Sequence, residues 1–395
     1  MRRRTALAAG LAAPLAAAAP ASAACPEPRG TGDLVVIVER ARGSVLVAES
    51  TGRSLLGRVE GLGDLSHASV VFSRDARFAF VFGRDGGLSK VDLLERRLVA
   101  RVVQAGNAIG GAISEDGRIV AVSNYEPGGV RLFDPATLSP LGEVAATGAD
   151  GRRSKVVGLV DTPGGGFACT LYDAGEIWLV DPREPARPLV RRFPGIGRLP
   201  YDANLTPDGR FYLAGLFGED GVVLLDLWRI EQGPRRILAG YGRGEEPLPV
   251  YKMPHLEGWG QAGGHLLLPA VGRHEVLVVD RRDWREVGRI ATRGQPVFVV
   301  VRPDGREAWV SLAHPDNGTV QVLDLDRLEV AATLAPGRAI LHLEFTPRGD
   351  QVWLSARDDD RVLVLDPRSR ATLAELPADK PSGVFGTARA GRIGS

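Results

Sequence analysis

The sequence predicts an all-β fold, an eight-bladed β-propeller whose ring is closed by its C-terminal strand in the first blade. Three observations predict it. Aspartates close successive β-rich units at positions 92, 134, 181, 226, 280, 324 and 366, a repeat of 42 to 54 residues. No long 3.6-residue apolar period survives the 50 glycines and 27 prolines, while β-branched and aromatic runs split by Gly/Asp/Pro turns recur throughout. Finally, Pro381-Ser382-Gly383-Val384-Phe385 resembles residues 66–72, the stretch leading into and forming the innermost strand of the second unit. Four short strands in a unit of this length make a propeller blade.

The chain is 395 residues long, with 44% hydrophobic and 25% charged residues, ordinary for a globular protein. Lys and Arg number 49 against 48 acids, so no basic excess supports nucleic-acid binding. Arg2, Arg3 and Arg4 precede an apolar run, and Ala21-Ser22-Ala23 follows it. This is the pattern of a secretory signal, expected to be cleaved as residues 1–24 and to direct the protein to a bacterial periplasm. Cys25 is a candidate lipid anchor, although Ser22 replaces the large apolar residue usual before such a cysteine. Cys169 reads as a buried thiol, with a Cys25–Cys169 disulfide as the alternative. Two cysteines build neither a disulfide framework nor a cysteine zinc site.

Residues 29–395 form the expected single propeller domain. Its first unit, residues 34–39, 44–49 and 55–59, supplies three strands and lacks an innermost one. The C-terminal segment is expected to fill that place, which pairs the edges an open ring would expose. Seven further units follow, each with a turn between its first two strands: Ser73-Arg74-Asp75-Ala76-Arg77, Ser114-Glu115-Asp116-Gly117-Arg118 and Thr206-Pro207-Asp208-Gly209-Arg210 are three of them. These read as structural β-turns on one face of the ring.

The opposite face collects the loops leading into each innermost strand and those joining second to third strands. They carry Ser66-His67, Lys155, Tyr201-Asp202, residues 252–255, Arg84-Asp85, Asn124-Tyr125, Tyr172-Asp173 and Arg357-Asp358. His, Arg, Tyr and Lys above a central depression suit a large planar anionic ligand. Arginines pair with carboxylates, aromatics cover a macrocycle and a histidine can bind iron. Arg84 and Arg357 either meet ligand carboxylates or pair with the adjoining Asp85 and Asp358. Lys252 adds a cation, and His342 on an inner strand is a further candidate to line the channel. His265, His274 and His314 read as surface residues. No nucleotide-binding glycine loop, G-x-S-x-G elbow or H-E-x-x-H pair is present.

Residues 67–73 together with Phe82-Gly83-Arg84-Asp85-Gly86-Gly87 resemble the heme d1-binding propeller of the dissimilatory nitrite reductase family. Tyr201-Asp202, Met253-Pro254-His255-Leu256 and Pro381-Ser382-Gly383-Val384-Phe385 also have counterparts there, and the resemblance spans the mature chain. It is greatest to the exported propellers that serve heme d1 biosynthesis. The resemblance implies that His67 is the proximal iron ligand. It further implies heme d1 or dihydro-heme d1 as ligand or substrate, with His255, Tyr201 and Asp202 as candidate catalytic groups. Nitrite reductase, other heme d1 biosynthesis proteins and a second copy of the chain are the implied partners.

Two departures limit what carries over. The C-x-x-C-H attachment of a c-type heme is absent, so no covalent heme is expected to feed electrons to the site. Of the family's two distal histidines, only His255 lies near such a position. The residues leave open whether the protein modifies its tetrapyrrole or only binds and delivers it. An unrelated envelope scaffold stands as the further alternative.

Overall fold

The structure, a computed structural model, describes residues 30–240 and 258–394. Among the described residues, thirty-two strands form eight four-stranded antiparallel sheets. Seven are sequential meanders. The first of these runs Ser69–Phe72, Phe78–Phe82, Gly87–Asp92 and Arg97–Val103, and the last begins at Ile340–Phe345. We number this first meander blade 2 and the last blade 8, and letter strands a to d from the axis outward. Blade 1 is assembled from both ends of the chain. Its strands b, c and d are Leu34–Glu39, Ser44–Glu49 and Ser54–Val59, and its strand a is Pro381–Gly386. The closing register pairs Val36 with Phe385, Ile37 with Val384 and Val38 with Gly383. The eight-bladed fold and its closure are as the sequence predicts.

The repeat aspartates have a physical explanation. Each ends strand c or directly follows it, and its carboxylate accepts backbone N–H groups of the c–d turn. Asp92 caps Leu94 and Glu95, Asp134 caps Ala136 and Thr137, and Asp324 caps Asp326 and Arg327. A short polar side chain that bonds the backbone two residues on makes such a turn. The a–b turns lie on the same face and join this network: Arg77 reaches Asp92 at 2.9 Å and Arg210 reaches Asp226 at 2.7 Å. In these two blades the two sequence signals are halves of one contact.

Between blades the strands pack apolar side chains face to face. Trp178, Trp309, Trp353 and Tyr212 are fully buried in these seams. Cys169 is a buried thiol inside one of them with no disulfide partner among the described residues, and burial pushes it up to about 12. Cys25 lies outside the described residues.

Beyond the closing strand the chain adds a feature the repeat does not encode. Residues 387–394 run beneath the ring on the turn face and touch several blades. Arg389 forms a buried pair with Glu344 of blade 8, and Arg74 of blade 2 donates to the carbonyls of Ala390 and Arg392. Asp161 of blade 4 accepts both Arg74 and the Gly394 N–H, and Gly394 packs on Leu205 of blade 5.

Closure is clasped by Glu39. Its carboxylate, fully buried, accepts Arg58 at 2.6 and 2.9 Å, the Ser44 hydroxyl, and the N–H of Asp379 just before the closing strand. Burial works to raise this carboxyl, but the hydrogen bonds from Arg58, Asp379 and Ser44 outweigh it and hold it below the usual range. A carboxyl depressed in the folded state contributes stability above its unfolded value, and that stability is lost as pH falls through the folded value. Glu39→Gln is expected to cost about 2 kcal/mol at neutral pH. It should also flatten the loss of stability on acidification below pH ~4, read by denaturant melts across pH. Cys169 should resist thiol alkylation in the native protein and react only in denaturant, as read by peptide mass.

Candidate functional site

On the face opposite the capped turns, the loops leading into strand a and the b–c loops enclose a cavity of about 610 Å³. This lies within the roughly 300–1,000 Å³ usual for cofactor and ligand sites. Its wall is chemically divided by blade.

Blades 8, 1 and 2 contribute Arg357, Arg40 and Arg84, each one or two residues past the end of strand b. Similar placement just past strand b in three consecutive blades sets the three arginines along one arc of the mouth. Blade 2 shows how the local sequence does this. Gly86 takes φ +76, and a Cβ there would stand 2.0 Å from the Ala105 carbonyl oxygen, so the turn admits only glycine. Asp85 turns away to cap Gly87 and pair with Arg101. Among the described residues no carboxylate pairs with Arg84 or Arg40, whereas Arg357 bonds Asp358 at 2.8 Å. Burial lowers the Arg40 guanidinium, and Arg357 adds like-charge repulsion in the same direction.

His67 lines the cavity from the loop leading into strand a of blade 2. Asp64 shapes that loop. Its carboxylate accepts the Ser66 N–H at 2.8 Å and its carbonyl accepts the Arg84 N–H at 2.8 Å, which ties the histidine loop to the arginine loop. Burial works to raise the Asp64 carboxyl, but the Ser66 hydrogen bonds and the nearby Arg84 and Arg40 charges hold it below the usual range.

Blades 3, 4 and 5 supply aromatics. Tyr125 donates to the Tyr201 hydroxyl at 2.8 Å, and Tyr172 meets Tyr201 edge to face at 5.9 Å. Burial pushes the Tyr125 phenol up to about 12, against the pull of the Tyr201 hydrogen bond and Arg84. Lys155 stands over the Tyr172 ring and bonds Asp173 at 3.1 Å. Blades 7 and 8 complete the wall with Val297, Phe298, Leu312, Ala313, Ile340 and Leu341.

Of the residues singled out from sequence, His67, Arg84, Arg357 and Tyr201 line this one cavity. His342 does not. It is buried between Phe298 and Phe385, and its Nδ1 accepts the Val384 N–H of the closing strand at 3.0 Å, so its described contacts are structural. Lys252 and His255 lie outside the described residues, as does the side chain of Asp202. His314, read from sequence as a surface residue, lines the cavity at the b–c loop of blade 7. Arg40 escaped notice because blade 1 has no closing aspartate to mark its loops. Its position just after strand b, matching Arg357, is the signal that finds it.

A family model described as the cytochrome D1 heme domain matches residues 29–390. The chain belongs to the cytochrome D1 heme domain family. Within curated members it is 58% identical over 368 residues to the Protein NirF of Stutzerimonas stutzeri, covering 93% of this chain and 94% of that one. It is 57% identical over 371 residues to the Protein NirF of Pseudomonas aeruginosa, covering 93% and 95%. Among solved structures it resembles dihydro-heme d1 dehydrogenase NirN in complex with DHE. The TM-score is 0.80 at 27% identity, over 93% of this chain and 78% of that one. The family's propeller is therefore the scaffold that carries the arginine, tyrosine and apolar arcs of this chain.

Proposed function

We propose that this protein acts in heme d1 biosynthesis, binding a late tetrapyrrole of dihydro-heme d1 type in the cavity and modifying it on the way to dissimilatory nitrite reductase. The observation that carries the reading is the division of the cavity wall. A histidine and an arc of cations face an aromatic arc and an apolar wall, in a chain 57–58% identical to NirF proteins. The donor set fits such a ligand. Arg40 and Arg84 lack carboxylate partners among the described residues, and grouped cations favour a polyanion. The aromatic and apolar parts suit the faces and edges of a planar ring. With two cysteines and no C-x-x-C-H, the macrocycle is taken as a non-covalent ligand.

In this reading His67 would hold the iron through an imidazole nitrogen, and the iron would supply redox chemistry when the macrocycle is bound. Arg84, Arg357 and Arg40 hold carboxylates, and the arc fixes one orientation of the ring. Tyr201, hydrogen-bonded by Tyr125, handles protons at the opposite wall. The family resemblance supports keeping Lys252, His255 and Asp202 as further candidates to act on this ligand. Side-chain dehydrogenation is the modification proposed, with electrons passing to an external acceptor. A single-turnover assay with purified protein, dihydro-heme d1 and an electron acceptor tests it. Conversion of the macrocycle supports modification, while tight binding without conversion reassigns the protein as a carrier.

His67→Ala should leave the fold intact, because blades are held by strand pairing and apolar packing, and should shift the Soret band of the bound ligand. An unchanged band removes His67 from the iron. Arg84→Ala should do the reverse, keeping the spectrum while weakening affinity roughly ten- to a hundredfold in absorbance titration.

Export to the periplasm belongs to the same proposal, with Cys25 as a candidate lipid anchor. The intact mass of the mature protein checks it. A start at Ala24 or Cys25 is expected, and acylation would appear as a large added increment.

A further inference from the structure

One hydroxyl in the apolar wall of the cavity departs from a pattern that blades 3, 4 and 8 share. Near the outer end of strand b, several blades place a serine or threonine opposite an irregularity in strand a. In blade 3, Ser123 pairs with Gly110 and its hydroxyl donates to the Gly110 carbonyl at 2.9 Å. In blade 4, Thr170 pairs with Val157 and donates to the Val157 carbonyl at 3.2 Å. In blade 8, the Ser355 hydroxyl accepts the His342 N–H at 2.9 Å. Each of these hydroxyls satisfies backbone where the ladder is broken.

Blade 7 has the same irregularity between Pro296 and Phe298, with Ser311 paired to Phe298. Ser311 is 1% exposed, yet its Oγ has no hydrogen-bond partner among the described residues. It lines the cavity between Phe298 and Leu312. A buried hydroxyl left without a partner costs about 1–3 kcal/mol. A repeat position that elsewhere satisfies backbone here leaves its hydroxyl unsatisfied in the wall of the cavity, an arrangement suited to selecting for a polar atom on a ligand.

We propose that Ser311 is a specificity-determining residue, its hydroxyl donating to an oxygen on the ring periphery of the bound macrocycle. It thereby favours a tetrapyrrole whose ring bears oxo groups over one with only alkyl substituents at that edge. The proposal rests on the tetrapyrrole reading of this cavity and deepens it. The arginine arc receives carboxylates, which many tetrapyrroles share. Ser311 reads a ring oxygen, which few do.

The test uses Ser311→Ala in the full mature chain, with two probes: heme d1, whose ring carries oxo groups, and mesoheme, which has carboxylates but no ring oxygen. Ligand-free Ser311→Ala should melt at or above the temperature of the unsubstituted protein, because no protein hydrogen bond is lost. The preference for heme d1 over mesoheme should fall roughly five- to tenfold, with mesoheme affinity unchanged or raised. Ser311→Thr, which keeps the hydroxyl, should retain the preference. A lowered melting temperature in ligand-free Ser311→Ala would make the residue structural and overturn the proposal. An unchanged ratio with both probes bound would overturn it while leaving the tetrapyrrole reading intact. Failure of the unsubstituted protein to bind either probe would overturn both.

Discussion

Everything at the cavity depends on the antiparallel pairing of Pro381–Gly386 with Leu34–Glu39. A propeller sheet gains little from any single blade, because each blade buries its faces only against its neighbours. The ring becomes a closed structure when its last edge is matched. Here the closing strand is held by backbone pairing, by the Glu39 clasp before it and by the His342–Val384 hydrogen bond within it. Ser382 of the same strand lines the cavity, as do Arg40 of the same blade and Arg357 of the blade beside it. The seam that closes the ring and the cationic arc of the cavity are therefore neighbours, and an error in the first would misplace the second.

The scaffold is a repeat, and its chemistry is not. Equivalent loop positions carry arginine in blades 8, 1 and 2, tyrosine in blades 3 and 4, and histidine beside an apolar wall in blade 7. The repeated strand order brings these groups to the wall of one cavity. Side-chain identity alone then decides which way a ligand faces. Clustered guanidinium groups repel one another, as Arg40 and Arg357 do, and an anionic ligand relieves that repulsion. The tyrosine arc and apolar wall exclude water from the other side, which strengthens each polar contact made within.

The far face is built for the opposite purpose. Aspartate-capped turns, the Arg77–Asp92 and Arg210–Asp226 pairs, and the segment 387–394 across several blades use up its polar groups in structure. Asp161 is an example. Its carboxyl is raised by burial despite Arg74 and the Gly394 N–H, and both its oxygens are spent on holding that segment in place. The ligand chemistry is left to the opposite face, where Arg40 and Arg84 have no carboxylate partner among the described residues.

By itself the sequence determined the blade count, the turn positions and the ring closure. Those depend on local signals: an aspartate capping the turn two residues on, glycine where φ is positive, and a terminal strand that resembles an innermost one. It also placed His67, Arg84, Arg357 and Tyr201 on the correct face, because face follows from strand order alone. Only the tertiary structure decided which of those residues share a cavity. His342 sits on an inner strand and reads as a channel residue, yet packing between Phe298 and Phe385 turns it to the closing strand. Arg40 and His314 read as ordinary loop residues, yet the ring brings them to the cavity wall. Ser311 looks like every other strand serine until its equivalents in blades 3, 4 and 8 are seen bonded to backbone. The physical reason is that side-chain direction at a strand irregularity, and the neighbour supplied by the next blade, are set by contacts tens to hundreds of residues apart, which no local pattern encodes.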